Sequence, residues 1–211
     1  MENYRTIKEN TADEMEIKKS EFICFLKRVE SEEEALEFID DVKKKHWKAT
    51  HNCSAYTIGP NDEIQRANDD GEPSGTAGVP MLEIFLKREL KNVVAVVTRY
   101  FGGIKLGAGG LIRAYSGSVN QAVDKAGVVE RQLQQLIDLT VSYSQSGQVE
   151  NSLREANYTI QDTTYTDVIT YHCIIPIEKE EEFKQDIANW TSAEAEVKVM
   201  NKAWIEVDVE K

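Results

Sequence analysis

The sequence predicts an α+β protein with two domains. Strand-like and helix-like periodicities alternate along the chain, and both the element order and the charge balance change near residue 135. Residues 1–135 carry 19 Lys and Arg against 22 Asp and Glu, a net charge of −3, whereas residues 136–211 carry 6 against 15, a net charge of −9. A chain of 211 residues is long enough for one or two domains. We therefore predict domains at 1–135 and 136–211.

The first 75 residues mix extended and helical patterns. Residues 14–29 are predicted to be extended, and the helix that follows has Ser31 and Glu34 at the spacing of a capping box. The segment NCSAYTIG alternates as a strand. Turn-forming residues then dominate residues 60–75, which predicts a long loop or a hairpin.

The next segments predict a helix, a buried strand and a second helix. TAGVPMLEIFLKREL is helix-like, with Ser74 or Thr76 available as its cap, and the apolar run NVVAVVTRYF is typical of a buried strand. A glycine-rich loop then leads into a helix that is predicted to end near Ala126. That helix carries small residues at a spacing of four, which predicts close packing on a sheet. These residues are Gly110, Ala114, Ser118 and Ala122.

The second half predicts the order β-α-β-β-α-β. QQLIDLTVSY alternates as a strand, a short helix ends at Asn157, and two strands follow. A helix with Phe183, Ile187 and Trp190 on one stripe then precedes the last strand, EVKVMNKAWIEV. This order is that of a ferredoxin-like domain.

Composition argues against several classes of protein. Cys24, Cys53 and Cys173 are far apart, so neither a disulfide framework nor a zinc ribbon is predicted, although His51 and Cys53 would share one face of a strand. No apolar run approaches the ~20 residues of a membrane helix, and the first residues do not resemble a signal peptide. We expect a cytoplasmic protein with no membrane partner, no metal and no cofactor.

The segment TRYFGGIKLGAGGLIRAYSGS, residues 98–118, is the first candidate site. Glycine-rich loops that open a helix can bind anions through backbone N–H groups. The Walker A pattern fails because Ala108 and Gly109 follow Gly107, and the dinucleotide pattern fails because Ile112 stands where the third glycine belongs. The loop therefore serves close packing, a ligand or both. The candidate ligand- or nucleic-acid-binding residues are Arg99, Lys105, Gly107, Gly109, Gly110 and Arg113.

The segment DDGEPSGTAGVP, residues 69–80, is the second candidate site. Ser74 and Thr76 open the next helix and offer a second anion-binding turn. Asp69, Asp70 and Glu72 could bind a hard cation or act as a base, or they could be turn and cap residues. Catalytic motifs such as G-x-S-x-G and H-E-x-x-H do not occur, so no enzyme is predicted from the residues.

These two segments resemble the signature of the IMPACT/YigZ family in its bacterial two-domain form. The resemblance covers residues 69–118 in detail and the element order over nearly the whole chain. It implies an N-terminal domain with the ribosomal protein S5 domain 2-like fold, a βα sandwich shared with domain IV of elongation factor G. It implies a C-terminal ferredoxin-like domain similar to domain V of that factor. The family's motif surface maps to Asp69, Asp70, Gly71, Glu72, Pro73, Arg99, Tyr100, Gly102, Gly103, Gly107, Gly109, Gly110 and Arg113.

The resemblance also implies an association with translation, because eukaryotic relatives regulate translation during amino-acid starvation. We expect a regulatory protein that binds RNA, the ribosome or a translation partner through the basic glycine-rich face. Residues 87–113 carry six Lys and Arg against one Glu, which favours this interpretation. The acidic C-terminal domain is expected to bind a protein. One alternative is an enzyme or sensor for a small phosphorylated ligand held between the two helix N-termini, and another is a protein-interaction adaptor.

Overall fold

The computed structural model describes residues 3–209 of the chain. The chain divides into two compact units, Met1–Arg131 with Glu206–Lys211 (unit 1) and Gln132–Ile205 (unit 2). The sequence analysis assigned residues 206–211 to the second domain. In the structure this segment lies in unit 1, where Asp208 accepts a hydrogen bond of 2.7 Å from Lys8.

Unit 1 is an antiparallel sheet with helices. Its elements are β1 (Tyr4–Ile7), β2 (Thr11–Ile17), β3 (Ser20–Arg28), α1 (Glu32–Lys45), β4 (His51–Ile58), β5 (Ile64–Asn68), α2 (Gly78–Lys87), β6 (Val93–Tyr100) and α3 (Ala108–Ala126). The sheet order is β2-β3-β6-β4-β5. β1, which the sequence analysis did not predict, pairs with the first residues of β7 (Val128–Val141).

The central strand β6 has a helix layer on each face. Val93, Ala95 and Val97 belong to the core that also contains residues of α2 and α3. Val94 and Val96 belong to a second core with residues of α1. Because neither face meets water, the strand is a continuous apolar run, and its predicted burial is confirmed.

The local predictions in unit 1 hold with one refinement. The extended segment 14–29 is split by a turn at Lys18 and Lys19, which have φ angles of 48° and 63°, so β2 and β3 form a hairpin. β5 forms a hairpin with β4, within the region predicted as a loop or hairpin. The Ser31 side chain accepts a hydrogen bond of 3.2 Å from the backbone N–H of Glu34, as the capping pattern predicts.

The predicted packing stripe on α3 is confirmed by burial at three of its four positions, and Gly110 is only partly buried. Ala114 and Ala122 are fully buried and Ser118 is 3% exposed. Small side chains at these positions let α3 lie close to the sheet. The helix therefore begins at a fixed place beside the end of β6.

Unit 2 has the predicted element order β-α-β-β-α-β. Its elements are β7, α4 (Tyr143–Glu155), β8 (Thr159–Tyr165), β9 (Ile169–Pro176), a 3₁₀ turn at Ile177–Lys179, α5 (Glu180–Thr191) and β10 (Glu196–Asp208). β9 pairs antiparallel with β7 and β8, and β10 pairs with β7. Asn157 has a φ of 59°, the left-handed conformation predicted after α4.

Across the described residues, none of the helices has the length and apolar character needed to cross a membrane.

Candidate functional site

The acidic loop, residues 69–78, is held by the carboxylate of Asp69. This carboxylate accepts hydrogen bonds from the backbone N–H groups of Gly75, Ala77 and Gly78 at 2.8–3.0 Å. Burial alone would raise the pKa of Asp69, but the three N–H donors lower it below its ordinary value. Asp69 thus caps α2 from nine residues away and occupies the anion-binding turn.

The predicted roles of Ser74 and Thr76 change as a result. The Thr76 hydroxyl donates a hydrogen bond of 2.6 Å to the carbonyl of Pro73, and the residue is 5% exposed. Ser74 is exposed and makes no capping bond, since the N–H groups of this turn bind Asp69. The sequence analysis predicted that Ser74 or Thr76 caps α2. In the structure, the carboxylate of Asp69 caps this helix instead.

Asp70 fixes the start of β4. One carboxylate oxygen accepts a hydrogen bond of 2.8 Å from Lys43, and the other accepts one of 2.7 Å from the backbone N–H of Asn52. Asp69, Asp70 and Glu72 therefore have different partners, and they do not converge into one cation site.

Glu72 is the buried carboxylate of unit 1. Its side chain is 4% exposed, and Oε1 accepts hydrogen bonds from Arg99 Nη1 at 2.6 Å and from the Tyr115 hydroxyl at 2.7 Å. Burial raises the pKa of Tyr115, so this hydroxyl keeps its proton and remains a donor. The sequence analysis missed Tyr115 because its position on α3 is typical of an apolar core residue.

Arg99 does not lie on the surface as one of three flanking cations. Its side chain is 6% exposed, and its guanidinium lies 5.4 Å from the ring centroid of Phe22 and 5.5 Å from that of Phe101. Buried charges require a partner, and Glu72 is that partner. Arg99 therefore links the acidic loop to β6.

His51 faces the same carboxylate. Its Nδ1 lies 2.8 Å from the carbonyl oxygen of Asp70, which can only accept, so Nδ1 donates this hydrogen bond. Nε2 then lies 3.7 Å from Glu72 Oε2, beyond hydrogen-bond distance. Neighbouring Cys53 donates to the carbonyl of Asp69 at 3.0 Å, and burial raises the pKa of its thiol to about 12, so it is an unreactive thiol at neutral pH.

The glycine loop, residues 101–110, connects β6 to α3. A Cβ added at Gly102 would lie 1.8 Å from the carbonyl oxygen of Lys19, so only glycine fits against the β2–β3 turn. Gly107 precedes α3 with a φ of 72° and supplies no side-chain cap. Gly109 and Gly110 lie in the first turn of α3, and Lys105 and Arg113 are exposed as predicted.

Lys105 and Arg113 belong to a larger group of exposed cations at the end of the sheet where β6 ends. The loops there pack together, since Phe101 N–H donates to Thr50 Oγ1 at 3.0 Å and Tyr100 OH lies 2.9 Å from His46 Nδ1. Six exposed cations define this surface, which we call the basic end: Lys18, Lys19, Lys45, Lys48, Lys105 and Arg113. Among residues 3–209, none of the six forms an ion pair with a carboxylate.

Exposed apolar side chains lie between these cations. Trp47 is 73% exposed, Phe101 47%, Ile104 42% and Ile112 41%. Lys48 Nζ lies 5.2 Å from the centroid of the Trp47 ring. Cations interleaved with aromatic rings are typical of surfaces that bind single-stranded nucleic acid.

A pocket of about 420 Å³ opens beside the basic end. Its lining residues are Thr50, His51, Glu72, Pro73, Arg99, Phe101, Lys105, Leu106, Gly107, Ala108 and Leu111. It presents the Glu72 carboxylate, the Nε2 atom of His51, a cation on Lys105 and an apolar wall. The sequence analysis did not select His51 for this site, and the only signal was its position before Cys53.

The chain is similar to known proteins over nearly its whole length. Residues 18–123 match the model of the Impact N-terminal domain, and residues 139–194 match that of a domain of unknown function (DUF1949). The chain is 48% identical over 206 residues to the IMPACT family member YvyE of Bacillus subtilis, with 98% of this chain and 95% of that protein covered. The chain belongs to the IMPACT family. It is also 36% identical over 178 residues to the family member YigZ of Escherichia coli, covering 83% of this chain and 87% of that protein.

A crystal structure described as that of a hypothetical protein is also similar to this IMPACT family chain. It has a TM-score of 0.61 and 32% sequence identity, and it covers 95% of this chain and 98% of that one. The predicted membership of the bacterial two-domain IMPACT/YigZ family is therefore confirmed. The Impact N-terminal match contains the acidic loop, the glycine loop, the pocket and every residue of the basic end.

Proposed function

We propose that this IMPACT family protein is a translation-associated regulator that binds single-stranded RNA, including exposed RNA of the ribosome, through the basic end of unit 1. The observation that carries the proposal is the group of six exposed cations, none of them ion-paired within residues 3–209, around the exposed rings of Trp47 and Phe101. Lys and Arg neutralise phosphates, and exposed rings stack on bases. The family's implied regulatory role in translation supports RNA as the ligand.

The charge distribution within unit 1 supports this assignment. The nearest buried carboxylate, Glu72, is neutralised by Arg99, and Asp70 is neutralised by Lys43. Glu16 and Glu21 lie on the neighbouring hairpin, where the two residues face each other across β2 and β3. The six cations of the basic end therefore outnumber these two carboxylates.

The small phosphorylated ligand is less well supported. That hypothesis needs two free helix N-termini, and the carboxylate of Asp69 already binds the N–H groups of Gly75, Ala77 and Gly78 at the first. At the second, the N-cap residue Gly107 of α3 supplies no side-chain cap. We therefore retain RNA binding as the proposed function.

We also propose the finer fold relationships and a role for unit 2. The element order β-α-β-β-α-β supports a ferredoxin-like fold for unit 2. For unit 1 we propose the S5 domain 2-like fold implied by the family, and we propose that the protein acts in the cytoplasm. Residues 136–211 carry a net charge of −9, which supports a basic protein as the partner of unit 2.

The test is RNA affinity after charge reversal at the basic end. A fluorescently labelled 12-nucleotide single-stranded RNA is titrated with the full chain, and purified ribosomes are used in parallel sedimentation assays. We expect Lys105→Glu with Arg113→Glu to weaken RNA binding at least tenfold. The slope of log affinity against log salt should fall by about 0.7 for each phosphate contact that is lost.

The matched control reverses two exposed lysines elsewhere. Lys198→Glu with Lys202→Glu changes the net charge by the same amount on β10, and we expect its affinity to stay within about threefold of wild type. Equal loss in both variants would show a net-charge effect and overturn the assignment to the basic end. Wild-type protein that binds neither RNA nor ribosomes would overturn the function itself.

A further inference from the structure

We propose that the pocket beside the basic end is a base-reading slot that accepts one guanine nucleotide of a single-stranded RNA. This inference rests on the proposed function and names the ligand of one site within it. The guanine edge would contact Glu72 and His51, the base would stack on Phe101, and a phosphate would bind near Lys105. Each of these contacts corresponds to a feature of the pocket.

Glu72 and His51 form one side of the pocket. Glu72 is 4% exposed, Oε1 already accepts two hydrogen bonds, and Oε2 accepts none from the described residues. His51 Nε2 lies 3.7 Å from Oε2, and because Nδ1 donates to the carbonyl of Asp70, the uncharged tautomer of the ring has its lone pair on Nε2. Two acceptors therefore face the same small volume, and a ligand with two adjacent donors would satisfy both.

Guanine is the RNA base that carries two adjacent donors on its pairing edge, the N1–H and the 2-amino group. Uracil presents a single N–H between two carbonyl acceptors, and these carbonyls would face Glu72 and His51 unfavourably. Recognition of unpaired bases by hydrogen bonds to this edge is the usual mode for single-stranded RNA. The rigid placement of Glu72 by Arg99 and Tyr115 makes the acceptor position specific.

The walls of the pocket suit a nucleotide. The Phe101 ring is 47% exposed and contacts the Arg99 guanidinium, so one side is supported and part of the ring remains open for stacking. Leu106 and Leu111 complete the apolar wall. A volume of about 420 Å³ accommodates a nucleotide.

The anion side lies at the rim of the same pocket. Lys105 lines it together with Gly107 and Ala108, which begin α3. The N-terminus of α3 has no side-chain cap, so its first N–H groups add to the charge of Lys105. The pocket thus has a phosphate site continuous with the basic end and an acceptor site at Glu72.

The experiment compares three RNAs that differ in one base. The eight-nucleotide RNAs are all-uridine, the same with one central guanosine, and the same with one central inosine, which keeps N1–H and lacks the 2-amino group. We expect the full chain to bind the guanosine RNA about tenfold more tightly than the uridine RNA, with inosine in between.

Two variants locate the preference. Phe101→Ala removes the stacking ring and should abolish the guanosine preference. Leu36→Ala removes a similarly exposed apolar side chain from α1, outside the pocket and the basic end, and it should leave the preference unchanged. Both side chains are about half exposed, so we expect both variants to fold.

The outcomes separate this inference from the proposed function. The base-reading slot is overturned if all three RNAs bind with equal affinity, or if the guanosine preference persists in Phe101→Ala. Either result leaves RNA binding by the basic end to be decided by the charge-reversal variants. If none of the RNAs binds, both the slot and the proposed RNA-binding function fail.

Discussion

The acidic loop and the glycine loop both contain glycines and lead into a helix, and they differ in what their backbone N–H groups bind. In the acidic loop, Asp69 binds the N–H groups at the start of α2, and Glu72 is paired with Arg99. In the glycine loop, Gly107 supplies no side-chain cap to α3, and Lys105 is exposed and has no carboxylate partner among the described residues. The first loop is therefore completed by the protein itself, and the second presents its charge to a ligand. The glycine-rich segments before the two helices look alike in sequence. They differ in whether a carboxylate of the protein binds the backbone N–H groups at the helix N-terminus.

The largest expected effect follows from breaking the ion pair that anchors the acidic loop. Arg99→Leu leaves the carboxylate of Glu72 buried without its cation, which should lower the free energy of unfolding by about 3–5 kcal/mol. Urea denaturation followed by circular dichroism measures this. Arg113→Leu is the matched control at an exposed position and should change stability by less than about 0.5 kcal/mol. Similar losses in both variants would contradict the distinction between an internal and an exposed cation.

An intermediate effect is expected from removing the cap of the acidic loop. Asp69→Ala exposes three N–H donors and should lower the free energy of unfolding by about 2 kcal/mol, with Asp41→Ala on the exposed face of α1 as the control. The pH dependence has a defined sign. The folded pKa of Asp69 lies below its ordinary value of 3.8, so its stabilising contribution is fully present above pH 4 and is lost as the pH falls through the folded pKa.

The difference in stability between wild type and Asp69→Ala should therefore shrink when the pH is lowered below 4. Urea denaturation at a series of pH values from 7 to 3 measures the difference directly. A difference that stays constant across this range would mean that the Asp69 carboxylate does not bind the N–H groups as an anion.

The smallest effect on stability is expected at the glycine loop. Lys105→Glu with Arg113→Glu should keep the free energy of unfolding within about 0.5 kcal/mol of wild type, because both side chains are exposed and a negative charge near the start of α3 is favourable. The same denaturation assay measures it. A loss of 2 kcal/mol or more would place these cations in the structural framework and remove the contrast between the two loops.

Much of the fold could be predicted from local patterns. The alternation in β7, the capping pair Ser31 and Glu34, and the left-handed residue Asn157 each depend on neighbours in sequence, so they were identified correctly. The strand β1 was missed because four residues are too few to establish a period. The turn at Lys18 and Lys19 was missed because lysine is not a residue typical of left-handed turns.

The site was less predictable than the fold. Lys105 and Arg113 were predicted as exposed cations, and the structure places them on the surface. Arg99 was grouped with them because charge is counted along the chain, whereas its burial depends on β3 and on Glu72 of the acidic loop. His51 and Tyr115 carried no motif, and only the packing of β4 and α3 brings them close to the carboxylate of Glu72.

The sequence by itself determined the strand and helix periods, the family, and the two glycine-rich segments that mark unit 1. These properties arise from near neighbours or from whole-motif similarity, so a linear chain contains them. Only the tertiary structure decided which charges are neutralised and which remain exposed. A carboxylate binds whichever donors the fold brings within about 3 Å. Asp69 and Glu72 find theirs up to 43 residues away, and Lys105 and Arg113 have no carboxylate within reach among the residues that the structure describes.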